Sequence, residues 1–242
     1  MKRRTTALAA ALSLLPLGQP LLLGSTTALA TAAVMLSTQV AHAQSAEDYV
    51  NRGNSKYRLR DYQGAIADYT KAIEINPQNT DAYNNRGIAK EKLRDYQGAI
   101  ADYNKAIEIN PQDADAYYNR GIARGISGDY QDAVNDFNKA IGINQDEFRF
   151  YYSRGIAKSN LKDFQGAIAD YNKTIAINSQ YALAYTNRGN AKEKLRDYQG
   201  AIADYNKAIE INPQYAVAYN NRGYAKYNLK DFQEQLLITI RQ

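Results

Sequence analysis

The chain has 242 residues, no cysteine and a single histidine, His42, which excludes disulfide frameworks, thiolate nucleophiles, cysteine metal sites and a cysteine-linked lipid anchor. Its formal charge of +5 is concentrated at the start, where Lys2, Arg3 and Arg4 meet no acid within residues 1–43, leaving 27 basic against 25 acidic residues in the rest. That balance gives no electrostatic case for nucleic acid.

Residues 1–43 read as an export signal. A basic "MKRR" precedes the apolar stretches "ALAAALSLLPLG" and "LLLGSTTALATAAVML". Small residues at Ala41 and Ala43 then form the A-x-A pattern that a signal peptidase accepts. Cleavage after Ala43 is favoured over cleavage after Ala30, and it removes the only histidine. If retained, the segment would anchor the chain in an inner membrane, but Pro16, Gly18, Pro20 and Gly24 interrupt the run a spanning helix needs. "RRTTAL" lacks the apolar residues that follow the pair in a twin-arginine signal, so the start reads as an ordinary basic n-region. The chain is expected to be exported, periplasmic or secreted.

Self-similarity dominates from there on. Gly53, Gly87, Gly121, Gly155, Gly189 and Gly223 stand 34 residues apart, as do Tyr62, Tyr96, Tyr130, Phe164, Tyr198 and Phe232. Five units run 46–79, 80–113, 114–147, 148–181 and 182–215, and an incomplete sixth covers 216–242. Such a period fits two helices of about 12 residues with their turns.

Within unit 80–113 the second half is the clearer helix. Tyr96, Ala99, Ile100, Tyr103, Ala106 and Ile107 form one wide apolar stripe at helical spacing, Asp95 can cap its start, and Asn110-Pro111 stops it. The first half carries Tyr83, Gly87 and Leu93 on one side, with Arg86 and Lys90 in the same phase. It is amphipathic only if a cation is tolerated near the seam.

The pattern Tyr83, Gly87, Tyr96, Ala99, Tyr103, Ala106 and Pro111 resembles the tetratricopeptide repeat, and it extends over 46–242 without a gap. The resemblance implies an all-α fold, a right-handed α-solenoid of stacked antiparallel helix pairs whose first helices form a concave inner face. Glycine and alanine at these places let helices approach closely, and a unit that cannot bury its own stripe must stack. Three departures stand out. Arginine replaces the family's usual leucine before the glycine. Gln145 and Ser179 replace the terminal proline, so the turns after units three and four are expected to be looser. Gln235 and Thr239 replace the alanine and aromatic of the last unit, whose second helix is expected to be short, either frayed or an improvised cap.

Each of the first five arginines has an aspartate 16 residues on: Arg52 and Asp68, Arg86 and Asp102, Arg120 and Asp136, Arg154 and Asp170, Arg188 and Asp204. In a hairpin of this length the offset sets them opposite one another. Structural ion pairs are therefore expected across the seam, the guanidinium on this aspartate or on the next unit's acid, and a bidentate geometry would favour arginine over lysine. The plainer alternative is an arginine stem covering Tyr83 with its head in water. The sixth arginine, Arg222, has Ile238 at that offset.

The residue before each arginine is Asn51, Asn85, Asn119, Ser153, Asn187 or Asn221. In tetratricopeptide proteins this position tends to face the groove, and an amide carries both a donor and an acceptor for an extended peptide's backbone. A peptide-binding ladder is the functional expectation, weighed against solvated or locally bonded asparagines. One position earlier, Tyr118 and Tyr152 could pack on a bound apolar side chain. The carboxylate clamp of co-chaperone repeats needs lysine at that earlier position, and none stands there.

Enzymatic readings find no support, since beyond His42 the common general bases and thiol nucleophiles are absent and no phosphate-binding loop occurs. Asp113, Asp115 and Asp129, like Asp146 and Glu147, lack metal-loop spacing and read as solvated caps. No cofactor, metal, nucleic acid or small-molecule substrate is expected. The partner is expected to be a protein or peptide, with a membrane involved only if the N-terminal segment stays uncleaved. The two functional readings are a non-catalytic module binding an extended segment in its concave groove, and a scaffold subunit of a cell-envelope assembly contacting partners through its convex face or C-terminal unit.

Overall fold

The computed structural model describes residues 45–240, so the export signal expected over 1–43 lies outside the described residues. Among these are eleven helices and no strand. Five antiparallel pairs come first: α1 (Ala46–Arg58) with α2 (Tyr62–Ile75), α3 (Thr80–Lys92) with α4 (Tyr96–Ile109), α5 (Ala114–Ser127) with α6 (Tyr130–Ile143), α7 (Phe148–Asn160) with α8 (Phe164–Ile177), and α9 (Ala182–Lys194) with α10 (Tyr198–Ile211). A single long helix, α11 (Ala216–Ile240), ends the array.

Local chemistry sets the boundaries. Asp95 caps α4 by accepting a hydrogen bond from the Gly98 amide at 2.9 Å, the usual role of a carboxylate at a helix start. Gly98 is needed for this cap, because a Cβ there would fall 2.1 Å from Asp95 Oδ2. Unit three confirms the point, since Asp132 takes the glycine's place and Asp129 makes no side-chain cap bond. Leu93 lies beyond α3 as its C-cap residue and is 43% exposed, so it does not share the packed side with Tyr83 and Gly87.

The inter-unit turns share one asparagine bond with or without proline. Asn76, Asn110, Asn144, Asn178 and Asn212 each close a second helix, and each side-chain oxygen accepts from the amide two residues on at 3.1 Å. The looser turn expected after Ser179 is not found, because this asparagine bond forms the turn without needing a fixed φ at the next residue. After Gln145 the turn is looser, since Glu147 does not donate its amide to the Asn144 carbonyl as the matching residue of the other four turns does.

Alanine and a single aromatic build each unit's core. Ala99, Tyr103 and Ala106 are wholly buried, and the Tyr103 ring lies against the bare backbone of Gly87, where a Cβ would stand 2.6 Å from Cε1. First helices of successive units touch; among the described residues, second helices of successive units do not. The result is a right-handed α-solenoid with the first helices on the inner side of the curve.

The sixth unit departs from the expected hairpin. Instead of a short second helix after a turn, α11 runs unbroken for 25 residues. The other turns pass through a residue at positive φ, such as Arg94 at 62°, a cost recovered by docking the second helix. With Gln235 and Thr239 in place of the buried alanine and aromatic, docking would recover little, and the helix continues.

Candidate functional site

The arginine series lies at the hairpin seams. Arg86 donates from Nε and Nη2 to the two oxygens of Asp102 at 3.0 and 2.7 Å, and Arg120 does the same to Asp136 at 3.0 and 2.6 Å. Arg52 with Asp68, Arg154 with Asp170 and Arg188 with Asp204 repeat the geometry. All five aspartates are buried. A second cation joins each: Lys56, Lys90, Arg124, Lys158 or Lys192, at 2.7 to 2.9 Å. The Arg52 guanidinium beside Asp68 holds its carboxyl below the usual range, against the opposing effect of burial.

The guanidinium also reaches the neighbouring unit. Arg86 Nη1 donates to Thr70 Oγ1 at 3.1 Å, and Arg120, Arg154, Arg188 and Arg222 donate to Asn104, Asn138, Asn172 and Asn206 at 2.6 to 2.8 Å. Each acceptor stands 16 residues before its arginine, on the preceding second helix. The arginine thus ties its own hairpin to the previous one, while its face lies over the tyrosine one turn earlier, as Arg86 does over Tyr83 at 5.5 Å.

The asparagine row lies on the first helices and bonds along the array. Asn85 Nδ2 donates to Asn54 Oδ1 at 3.2 Å, Asn119 to Asn84 at 3.0 Å, Asn187 to the Tyr152 hydroxyl at 3.0 Å and Asn221 to Asn190 at 2.9 Å. Each donation uses one amide hydrogen. A second hydrogen and the Oδ1 acceptor of each remain without a partner among the described residues, so the amide keeps a donor and an acceptor to offer. Asn51 is exposed, and Ser153 is buried at 7% exposure.

Tyr118 and Tyr152 stand half-buried between units. Tyr118 packs on Phe137 and Phe150 at ring separations of 5.9 and 5.1 Å, with Arg149 over its face. Tyr152 packs on Tyr171 and Tyr181 at 6.0 and 4.9 Å, and burial raises its hydroxyl pKa.

Three clefts open between successive first helices. One of about 240 Å³, between units one and two, is lined by Asn54, Tyr57, Arg58 and Asn85. Another of about 250 Å³, between units four and five, is lined by Asn160, Asn187, Asn190 and Lys194. A third of about 230 Å³, between units three and four, is apolar, with Ile122, Gly125, Ile126, Phe137 and Ile156 among its walls. No carboxylate lines any of the three. The first helix's row from Asn54 through Ile122 and Ile156 to Asn190, one turn beyond the asparagines, was not legible as a site in the sequence. Its signal was the divergence of units at that position.

The aromatic knobs account for these differences. In units two and five the tyrosine hydroxyl lies against a carboxylate one turn along the first helix: Tyr103 donates to Glu91 at 2.7 Å, and the Tyr205 hydroxyl is within hydrogen-bond reach of Glu193 at 3.0 Å and of Asn190 Oδ1 at 2.7 Å. Burial raises the pKa of both glutamates, and the tyrosine bond partly offsets it. Unit three has Phe137 and Gly125 at these two places, so both polar partners are missing together.

Residues 53–93 and 95–125 match a family described as "TPR repeat", and residues 114–147, 148–181, 182–215 and 204–236 match families described as "Tetratricopeptide repeat". No curated protein matches the sequence. Among solved structures, MamA is 27% identical, covering 71% of this chain and 93% of its own, with a TM-score of 0.65. YrrB, described as a TPR protein with an unusual peptide-binding site, is 20% identical over 78% of this chain and 97% of its own, TM-score 0.66. A tetratricopeptide repeat protein from Parabacteroides merdae is 19% identical over 81% of this chain and 77% of its own, TM-score 0.69. The last two likenesses are of fold alone.

Proposed function

Because the chain belongs to the tetratricopeptide repeat family, we propose that it is a non-catalytic interaction module which binds an extended segment of another protein along the face of its first helices. The observation that supports this reading is the asparagine row: Asn85, Asn119, Asn187 and Asn221 are each bonded to the first helix of the preceding unit and each keeps one donor and one acceptor. A bound backbone would pair with those amides whatever its side chains. The test is a pulldown or peptide array with the Asn85→Ala, Asn119→Ala double variant, accompanied by circular dichroism, since both residues also link units. Loss of binding by a folded variant supports the reading. Undiminished binding removes it.

A second reading has its own observation. On α11 no second helix covers Gly223, which has nothing within 4 Å, and Tyr224 and Tyr227 are 63% and 71% exposed. A scaffold subunit of a cell-envelope assembly would dock through that face. Binding that survives the asparagine changes but fails on deletion of 229–242 favours it.

The compartment proposed is the exported one, periplasmic or secreted, with cleavage after Ala43. N-terminal sequencing of the protein from the exported fraction tests it. A mature protein that begins at Met1 and sediments with membranes would mean the N-terminal segment serves as an anchor. Among the described residues no helix is long and apolar enough to cross a membrane.

A further inference from the structure

The units are near-copies, so a coordinated departure in one of them is informative. In units two and five the first helix carries Glu91 with Lys92 and Glu193 with Lys194, and the glutamate lies within hydrogen-bond reach of that unit's core tyrosine hydroxyl, which in unit five Asn190 also reaches. Unit three replaces all three groups: Gly125 for the glutamate, Ile126 for the lysine, Phe137 for the tyrosine. With Ile122 where unit five has Asn190, removing the glutamate alone would strand a buried hydroxyl in unit three, and removing the hydroxyl alone would leave a half-buried carboxylate with no donor. Removed together, they leave a hole that is apolar over most of its wall. A Cβ at Gly125 would meet nothing nearer than Ala133 at 3.9 Å, and the hole is rimmed by Ile126 and Ile156, 56% and 38% exposed.

The other two clefts are of a different chemistry. That between units one and two has Arg58 in its wall, that between units four and five has Lys194, and neither has a carboxylate. Of the three clefts, the first and last along the chain have a cation in the wall and the middle one is mostly apolar.

We propose that this face selects an extended segment with one bulky apolar side chain seated at Gly125 and acidic residues on both sides of it. The proposal rests on the groove reading above and names the chemistry of its ligand. Stacked helices are spaced by about 10 Å and an extended chain advances about 3.3 Å per residue, so one unit spans roughly three residues. Arg58 of unit one and Lys194 of unit five each stand 68 residues, or two units, from Ile126 beside Gly125, which places the acids about six residues to either side of the anchor.

The test is selection of random peptides, long enough to cover four units, displayed on phage against the immobilised chain. Binding of the enriched peptides is then measured on the wild type and on the Gly125→Glu, Ile126→Lys, Phe137→Tyr triple variant. That variant gives unit three the residues units two and five already carry, so its fold is provided for. The expected result is a shared bulky apolar residue with acids on either side, at least tenfold weaker binding to the triple variant, and a further loss on adding salt. Enriched peptides that lack the apolar residue, or that bind the triple variant equally well, overturn this inference and leave groove binding intact. If no peptide is enriched, or if binding of the enriched peptides ignores the asparagine changes at 85 and 119, the groove reading falls and this inference with it.

Discussion

Arg86 grips Asp102 with two parallel hydrogen bonds across the seam of its own hairpin, at 3.0 and 2.7 Å, while its remaining nitrogen holds Thr70 of the preceding unit at 3.1 Å. Asp102 is 4% exposed, so removing the arginine alone leaves a buried carboxylate with Lys90 as its one cation. Arg86→Leu is expected to cost about 2–4 kcal/mol, less than a fully orphaned pair because Lys90 remains. Asp102→Leu added to it should recover much of the loss, with a coupling above about 1 kcal/mol in urea denaturation. Additive single changes would show that the pair does not set helix register.

How far the sequence revealed this seam depends on what its period encodes. Arginine and aspartate 16 apart imply opposition within a hairpin, because both lie on one helix pair of known length. The equal offset backwards, from Arg86 to Thr70 and from Arg120 to Asn104, is written in the sequence just as regularly. It acquires meaning only when unit stacks on unit, which no single hairpin determines. The apolar hole was harder still to read, since Gly125, Ile126 and Phe137 look like three unrelated drifts until the two helices are paired. The end of the array failed for a different reason: a turn can be recognised by its residues, but whether it forms depends on what the following helix has to bury.

Two glycines of the same series should respond with opposite signs. At Gly87 a Cβ would stand 2.6 Å from a ring carbon of Tyr103, whereas at Gly223 nothing lies within 4 Å. Gly87→Ala is expected to destabilise by about 1–3 kcal/mol through overpacking, even after the helix-propensity gain. Gly223→Ala should stabilise by up to about 1 kcal/mol, the propensity gain alone. Thermal denaturation of the two variants side by side checks the contrast.

The hairpin turns offer a second pair of opposites. Arg94 and Arg196 sit at φ 62°, whereas unit three has Gly128 at φ 92°. Gly128→Ala meets no atom within 4 Å, so its expected cost of about 1 kcal/mol is one of backbone alone. Arg94→Gly removes a comparable strain and adds unfolded-state entropy, so it should fall between neutral and about 1 kcal/mol stabilising. Melting curves in which both changes destabilise equally would remove the explanation.

Alkaline pH should attack the knobs. Burial pushes the Tyr69 and Tyr171 hydroxyls from the ordinary value of 10.0 up to about 12, and each ring is 1% exposed. In the unfolded chain these groups ionise near 10, so between pH 10 and 12 the unfolded state loses protons that the folded state keeps. The stability they contribute is complete below pH 10 and is lost as pH rises towards 12. Tyr103 and Tyr205 move in the same direction, pushed further by Glu91 and Glu193 beside them. The fall in denaturation midpoint across that window should coincide with the rise of buried phenolate absorbance. Phe137 shows that the core position accepts a ring without a hydroxyl, so Tyr171→Phe should keep the packing and remove its share of the fall. If Tyr171→Phe follows the same pH curve as the parent, that tyrosine's burial is not what limits stability in base.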